Sequence, residues 1–346
     1  MPCEFVFLAV ENADSIIVSS DDDPTVIVDI PIPRRVVDFL LSRRKLHIGS
    51  IYITHTHRDH FAPFSEFSAF LELWFGLGGT VERVFILNEA FDAVYEELKR
   101  LEKAKSAKFK ELHHAMERLE FWRVKTIQFH HPNRSLTPSY QSGHLTCFVV
   151  HPDQLFAARH HVKSKKGLNE RSVVLKFTYK GFIALMLADV EKDGLDDILT
   201  LYSEQPEVLR SDLVKIPHHG AWPRNSSSLV SLLKLVDAEL AVLSVGSKNP
   251  YGHVVPALFQ LLNALVDDKL ARLSKFLCTE VTRTCVWNLL EREAAGQRGL
   301  PQRMPCAGDI VVTVRDEADW TWKTETDHPQ VVTGLKHAAC ENRGDY

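Results

Sequence analysis

No apolar run in this 346-residue chain reaches the roughly 18 residues that a membrane span needs, so no segment reads as a transmembrane helix. The opening Met1-Pro2-Cys3-Glu4 lacks the basic n-region of a secretory signal, and the expectation is a cytoplasmic protein. The six cysteines, at 3, 147, 278, 285, 306 and 340, form no Cys-x-x-Cys pair. Their scatter supports neither a zinc ribbon nor a disulfide framework. Gly-x-Ser-x-Gly, the P-loop and Gly-x-Gly-x-x-Gly are all missing, which argues against a serine nucleophile, ATP hydrolysis and dinucleotide redox chemistry. Excess positive charge is missing too. The formal net charge is −4, so a phosphate-rich substrate has to be held by local charge or by metal.

What is present is an ordinary globular composition, 45% hydrophobic and 25% charged, long enough to bury a sizeable core. Residues 5–10, 15–19, 25–30 and 48–53 are β-branched or apolar runs separated by Asn, Asp and Pro, and read as strands. Further strands are expected at 81–87, 146–151, 172–179, 182–187, 213–216, 240–245, 275–279, 284–289 and 309–314, with helices at 36–41, 63–75, 195–203, 227–235 and 257–266. A Glu-, Lys- and Leu-rich stretch at 89–120 reads as an inserted helical arm. Residues 1–325 are taken as one domain, and the polar 326–346 as a loose C-terminal tail.

Directly after the strand run Ile51-Tyr52-Ile53 comes Thr54-His55-Thr56-His57-Arg58-Asp59-His60. Imidazole and carboxylate are ligands for borderline and hard divalent ions. Four ligands on so short a piece suit two metals better than one, with His55 and His57 facing one and Asp59 and His60 the other. Three more loops follow short apolar strands and end in His or Asp: Asp189, His218-His219 and His253. Loops at strand ends carry function because a rigid sheet positions them. The basic run Arg159, His160, His161, Lys163, Lys165 and Lys166 is a surface turn or a phosphate contact, and Arg34, Arg35, Arg43, Arg44 and Lys45 add charge before the motif strand.

These residues resemble those of metallo-β-lactamase-fold hydrolases, and within them the hydrolase domain of ComEC-type competence proteins. The likeness is carried by Val26-Ile27-Val28-Asp29, the His-x-His-x-Asp-His run, Asn169-Glu170-Arg171-Ser172-Val173-Val174-Leu175, Leu187-Ala188-Asp189, Lys215-Ile216-Pro217-His218-His219-Gly220, Ser244-Val245-Gly246 and Asn249-Pro250-Tyr251-Gly252-His253. It covers roughly residues 5–320 and leaves out the 89–120 arm. The resemblance implies an α/β fold, a four-layer αββα sandwich with the metals at one edge. His55 and His57 would hold the first ion, Asp59 and His60 the second, and Asp189 would bridge them. His218 would complete one ligand set. His219 or His253 would be a further ligand or steady a leaving oxygen. Many relatives carry a further His about twenty residues before the bridging Asp. Asn169 stands there instead, leaving one position to water, substrate or a distant His, for which His144, His160 and His161 are candidates.

The expected activity is hydrolysis by a hydroxide activated by two divalent ions, zinc first and manganese second. Asp59 or Asp189 would take the proton and His219 or His253 would donate to the leaving group, with Lys163, Lys165, Lys166 and Asn169 as candidates for substrate contact. The resemblance favours phosphodiesters, hence a nuclease acting on nucleic acid or an enzyme for a small phosphodiester. Two other readings stand beside it. One is a small-molecule hydrolase acting on a cyclic nucleotide, lactone or thioester. The other is a metal-stabilised binding subunit of a defence or DNA-processing complex, docking a partner protein through 89–120.

Overall fold

The computed structural model describes residues 2–21, 23–86, 98–106, 108–110, 113–114, 117, 127–128, 137–159, 167–222, 227–296 and 299–341. Its strands are β1 Cys3–Phe7, β2 Ile16–Ser20, β3 Thr25–Val28, β4 His47–Tyr52, β5 Thr80–Phe85, β6 Ile127–Gln128, β7 Tyr140–Ser142, β8 Leu145–His151, β9 Val174–Tyr179, β10 Phe182–Met186, β11 Leu213–Lys215, β12 Leu240–Leu243, β13 Lys275–Cys278, β14 Ile310–Val314 and β15 Trp320–Thr324. They form two mixed sheets, ordered β15-β14-β1-β2-β3-β4-β5-β6 and β13-β12-β11-β10-β9-β8-β7.

The side-chain alternation of a strand decides the layers. In β1, Phe5 and Phe7 point to the second sheet and pack with Phe177, Ala184 and Met186. Val6 and the following Leu8 point the other way, into a core with Val36, Leu40, Phe67, Phe70 and Trp74. Those belong to α1 (Pro33–Ser42) and α2 (Phe64–Gly76). On the far face of the second sheet, Leu185, Val214 and Phe276 pack against Leu195, Ile198, Leu229, Leu233, Phe259 and Leu262. These lie on α3 (Lys192–Leu201), α4 (Ser227–Val236) and α5 (Pro256–Asp267). The order helix, sheet, sheet, helix is the αββα sandwich that the resemblance implied. Proline at the first turn of α1 and of α5 starts each helix without losing a hydrogen bond.

Two expectations change. Residues 284–289 read as a strand, yet Arg283–Val286 is a helical turn and Asn288 caps a second helix, Leu289–Ala295. The three-residue apolar run Cys285-Val286-Trp287 does not separate the two periods by itself, and the Asn288–Glu291 capping box starts the second helix. The stretch read as a loose tail is packed as far as 341: Val332, Ala338 and Ala339 are buried, and Asn263 Nδ2 donates to Ala339 O at 2.9 Å. In the 89–120 arm the described residues are helical at 98–103, 108–110, 113–114 and 117. No helix among the described residues is long and apolar enough to cross a membrane.

Five parallel-running strands place the site. The C-terminal ends of β3 and β4 in one sheet, and of β10, β11 and β12 in the other, open at the same edge of the sandwich. Val173 N donates to Thr54 O at 3.1 Å and Asp14 N to Asp59 O at 2.9 Å. The first bond joins the two sheets at that edge, and the second ties the β1–β2 connection to the motif loop. Four non-glycine residues in the turns leaving these strands have left-handed backbone: Asp29 (φ 61°), Ala188 (φ 44°), His218 (φ 49°) and His219 (φ 51°). Such strain gathers where side chains must be aimed rather than packed.

Candidate metal centre

Asp189 lies at the centre, 1% exposed, at the end of the segment leaving β10. Its two carboxylate oxygens divide the surrounding imidazoles. Oδ1 lies 3.0 Å from His60 Nε2 and 3.6 Å from His219 Nε2. Oδ2 lies 3.9 Å from His55 Nε2 and 3.8 Å from His218 Nε2. Four rings from two loops thus turn the same nitrogen toward one carboxylate.

Each ring is held from behind by its other nitrogen. His60 Nδ1 meets Asp29 Oδ2 at 2.6 Å, and His219 Nδ1 donates to Ser244 O at 2.9 Å. His218 Nδ1 meets Glu191 Oε1 at 3.1 Å, and His55 Nδ1 meets Thr54 Oγ1 at 3.2 Å. Asp29 is itself fixed by Thr54, which donates its N–H and its hydroxyl, both at 2.8 Å. Outer oxygens that fix the tautomer and angle of a ring are the usual support of an imidazole ligand. His57 completes the first loop, its Nδ1 3.1 Å from His55 Nε2. Asp59 Oδ2 lies 3.6 Å from His219 Nε2.

The donor set suits divalent cations. His60 Nε2, Asp189 Oδ1, His219 Nε2 and Asp14 Oδ1 are buried and make no hydrogen bond. One donor atom from each of Asp14, His60, Asp189 and His219 lies within 4.8 Å of the others. Buried polar atoms are nearly always satisfied, so four orphans converging on one point call for an electropositive occupant.

Electrostatics follow the same division. Burial opposes the imidazolium of His60, yet Asp189 and Asp29 on its two sides hold its pKa well above the ordinary histidine value. Burial raises the Asp189 carboxyl, but His60 and His219 outweigh it and keep it well below the usual range. Asp59 is likewise lowered despite burial, chiefly by the His219 imidazole beside it, with His60 adding to the effect. Burial lowers His55 and His57, which leaves both as neutral donors. His253 is lowered to about 4 by burial, with His218 and His219 adding to it.

Sequence reading named eight of the residues gathered here: His55, His57, Asp59, His60, Asp189, His218, His219 and His253. Asn169 also belongs, its Nδ2 donating to Glu191 Oε1 at 2.8 Å and lying 3.4 Å from His218 Nε2. Lys163, Lys165, Lys166, His160 and His161 lie outside the described residues. His144 is on the β7–β8 turn against Tyr179, at the opposite end of β9 from the site. Arg34, Arg35, Arg43 and Lys45 pair with Asp38, Asp309, Glu4 and Asp21 at 3.8, 2.9, 3.6 and 3.1 Å.

Four contributors had no assigned role: Asp14, Asp29, Glu191 and Lys215. Lys215, fully buried at the end of β11, donates to Asp14 Oδ2 and, at 2.9 Å, to Ala188 O. It stands 3.9 Å from Asp189 Oδ1. A lysine interrupting an otherwise apolar strand was the one signal that could have found it.

No protein-family model matches the chain, and no curated protein does. Among solved structures, the chain is similar to the metallo-β-lactamase-fold protein YhfI from Bacillus subtilis, at 13% identity over 75% of this chain and 93% of that one, with a TM-score of 0.43. It is similar to a metallo-hydrolase from the archaeon Ignicoccus hospitalis, at 15% identity over 79% and 94%, with a TM-score of 0.42. It is also similar to the short form of human tRNase Z, at 13% identity over 71% and 93%, with a TM-score of 0.38.

Proposed function

We propose that the chain is a hydrolase working with two divalent cations, zinc first and manganese second, and that its substrates are phosphodiesters. The observation that carries this reading is the convergence of four Nε2 atoms on the two oxygens of Asp189, each ring braced through Nδ1. His55, His57 and His218 with one oxygen of Asp189 would hold the first cation. Asp59, His60 and His219 with the other would hold the second. His218 then takes the place left open by Asn169. Divalent cations so held would lower the pKa of a water and polarise the oxygens of a phosphodiester.

The chain's own groups supply the rest. Asp59, partly exposed and held ionised, is the acceptor that orients a water and takes its proton. His219 cannot give a proton toward the substrate, because its N–H points away to Ser244 O. With a pKa near 4, His253 is neutral at pH 7. A neutral ring with so low a pKa is a poor proton donor to a leaving group, which leaves it a positioning role beside His218. Asn169, bonded to Glu191, faces the mouth of the first ligand set.

The test is metal analysis of the purified chain followed by turnover of bis(p-nitrophenyl) phosphate, with zinc and with manganese, before and after chelation. Two ions per chain and turnover lost on chelation are expected. One ion or none, with no turnover of any phosphodiester, overturns the reading and favours a binding subunit. The two ligand sets give a sharper expectation. His218→Ala and His219→Ala should each lower metal content from two toward one, weakening the affected ion about 10–100-fold or more, in line with the loss of a ligand or its support. Glu191→Gln should weaken only the His218 side. Isothermal titration of the stripped protein separates the two sets.

A further inference from the structure

Tyr251 is 62% exposed on a loop anchored on either side by buried Asn249 and Gly252. A lone exposed aromatic ring is ordinary on any protein surface, but this one is fixed and aimed. The buried side chain of Asn249 holds the loop with four hydrogen bonds. Its Oδ1 accepts from Tyr251 N at 2.9 Å and Gly252 N at 3.2 Å. Its Nδ2 donates to His253 O at 3.0 Å and to Asn12 Oδ1 at 2.9 Å. Gly252 takes a positive φ of 81°, and a Cβ there would meet the Arg283 guanidinium at 3.0 Å, so the turn is closed from below.

The Tyr251 ring lies nearly parallel to His253, 20° apart with centroids at 5.8 Å. His253 in turn lies 5.5 Å from His218. Three rings therefore form a continuous tier from solvent to the first ligand set. Its outer end is an open aromatic face carried by a rigid loop.

Resting on the phosphodiesterase reading, we propose that Tyr251 and His253 form a stacking platform for the nucleobase beside the scissile phosphodiester, so that the substrate class is nucleotide-bearing rather than a simple alkyl or lipid diester. A π-face accepts any base, so the platform selects for a base without reading which one.

The experiment compares thymidine 5′-(p-nitrophenyl phosphate) with methyl p-nitrophenyl phosphate on the metal-loaded full chain; the two share a leaving group, and one carries a nucleoside where the other carries a methyl group. Tyr251→Ala should raise KM for the thymidine ester about tenfold, with kcat little changed and the methyl ester unaffected. Tyr251→Phe and Tyr251→Trp should restore the preference, since stacking needs the ring and not the hydroxyl. An equal effect on both esters, or none on either, overturns the platform. Calorimetric binding of thymidine 5′-monophosphate against methyl phosphate is the second readout and needs no turnover. If neither ester is hydrolysed, the phosphodiesterase reading fails. The platform is still decided by whether the nucleotide binds better and loses that advantage in Tyr251→Ala. Thermal melting of each variant beside the parent shows that the fold is kept.

Discussion

Asp189→Asn should lower phosphodiester turnover about a thousandfold, the effect expected when about 4 kcal/mol of charge stabilisation is lost. The same variant should carry at most one tightly held metal ion per chain. The substitution keeps the shape of the side chain and one carbonyl oxygen, but replaces the other oxygen with an NH₂ that cannot donate electrons to a cation. Whichever way the amide turns, one of the two imidazole sets loses the oxygen it faces: His60 and His219 at Oδ1, or His55 and His218 at Oδ2. Asp189 is buried, so the stability of the metal-free form is part of the test. In the metal-free chain its carboxylate balances His60, whose raised pKa comes in part from it. Asn removes that charge and lets His60 return toward neutrality, with Asp29 still on its other nitrogen. Metal-stripped parent and variant should therefore melt within a few degrees of each other, while only the parent gains strongly from added zinc. Full turnover in Asp189→Asn would remove the mechanism proposed above.

The inner part of this site was legible because its chemistry is concentrated. Three histidines and an aspartate in six residues after a strand have few structural explanations. Asp189, His218, His219 and His253 repeat the pattern of a polar residue at a strand end. The layers were legible where apolar or β-branched runs sit between turn residues, as Ile16–Ser20 does before Asp21-Asp22-Asp23-Pro24 and Phe182–Met186 after Lys180-Gly181.

The supporting residues were not legible, and the reasons are physical. The brace behind His219 is the carbonyl of Ser244, a backbone atom that no side-chain pattern marks. Asp14 lies in the connection between β1 and β2, and Glu191 just before α3, where acidic residues are common without function. Which histidine of the pair faces inward depends on two successive left-handed residues. Adjacent side chains part at such a turn, sending His219 inside at 1% exposure and leaving His218 at 25%. Residues 284–289 failed for want of length, since a short apolar run fits a strand or a helical turn equally well.

Lys215→Met should destabilise the chain by about 3–5 kcal/mol, the usual cost of stripping one partner from a buried ion pair. Methionine matches the length of the lysine stem and fills its space in β11, so little packing is lost. What is lost is the ammonium that joins Asp14 to Ala188 O beneath the metal centre. Asp14 is 1% exposed, and its other oxygen already lacks a hydrogen bond. The imidazole nitrogens His60 Nδ1 and His219 Nδ1 are each 3.8 Å away and each committed elsewhere. Asn at position 14 cannot restore the pair, but it removes the stranded charge. The double variant Asp14→Asn/Lys215→Met should therefore be less destabilised than the sum of the two single changes, by about 2 kcal/mol or more, within the range for residues in direct contact. Urea unfolding of the four proteins in metal-free buffer completes the cycle. A coupling near zero would mean that the lysine acts on packing alone. A large coupling identifies the Asp14–Lys215 pair as the charged floor on which Asp189 is set. Because that floor joins the β1–β2 connection in one sheet to β11 in the other, the same pair would then hold the two ligand-bearing edges in register.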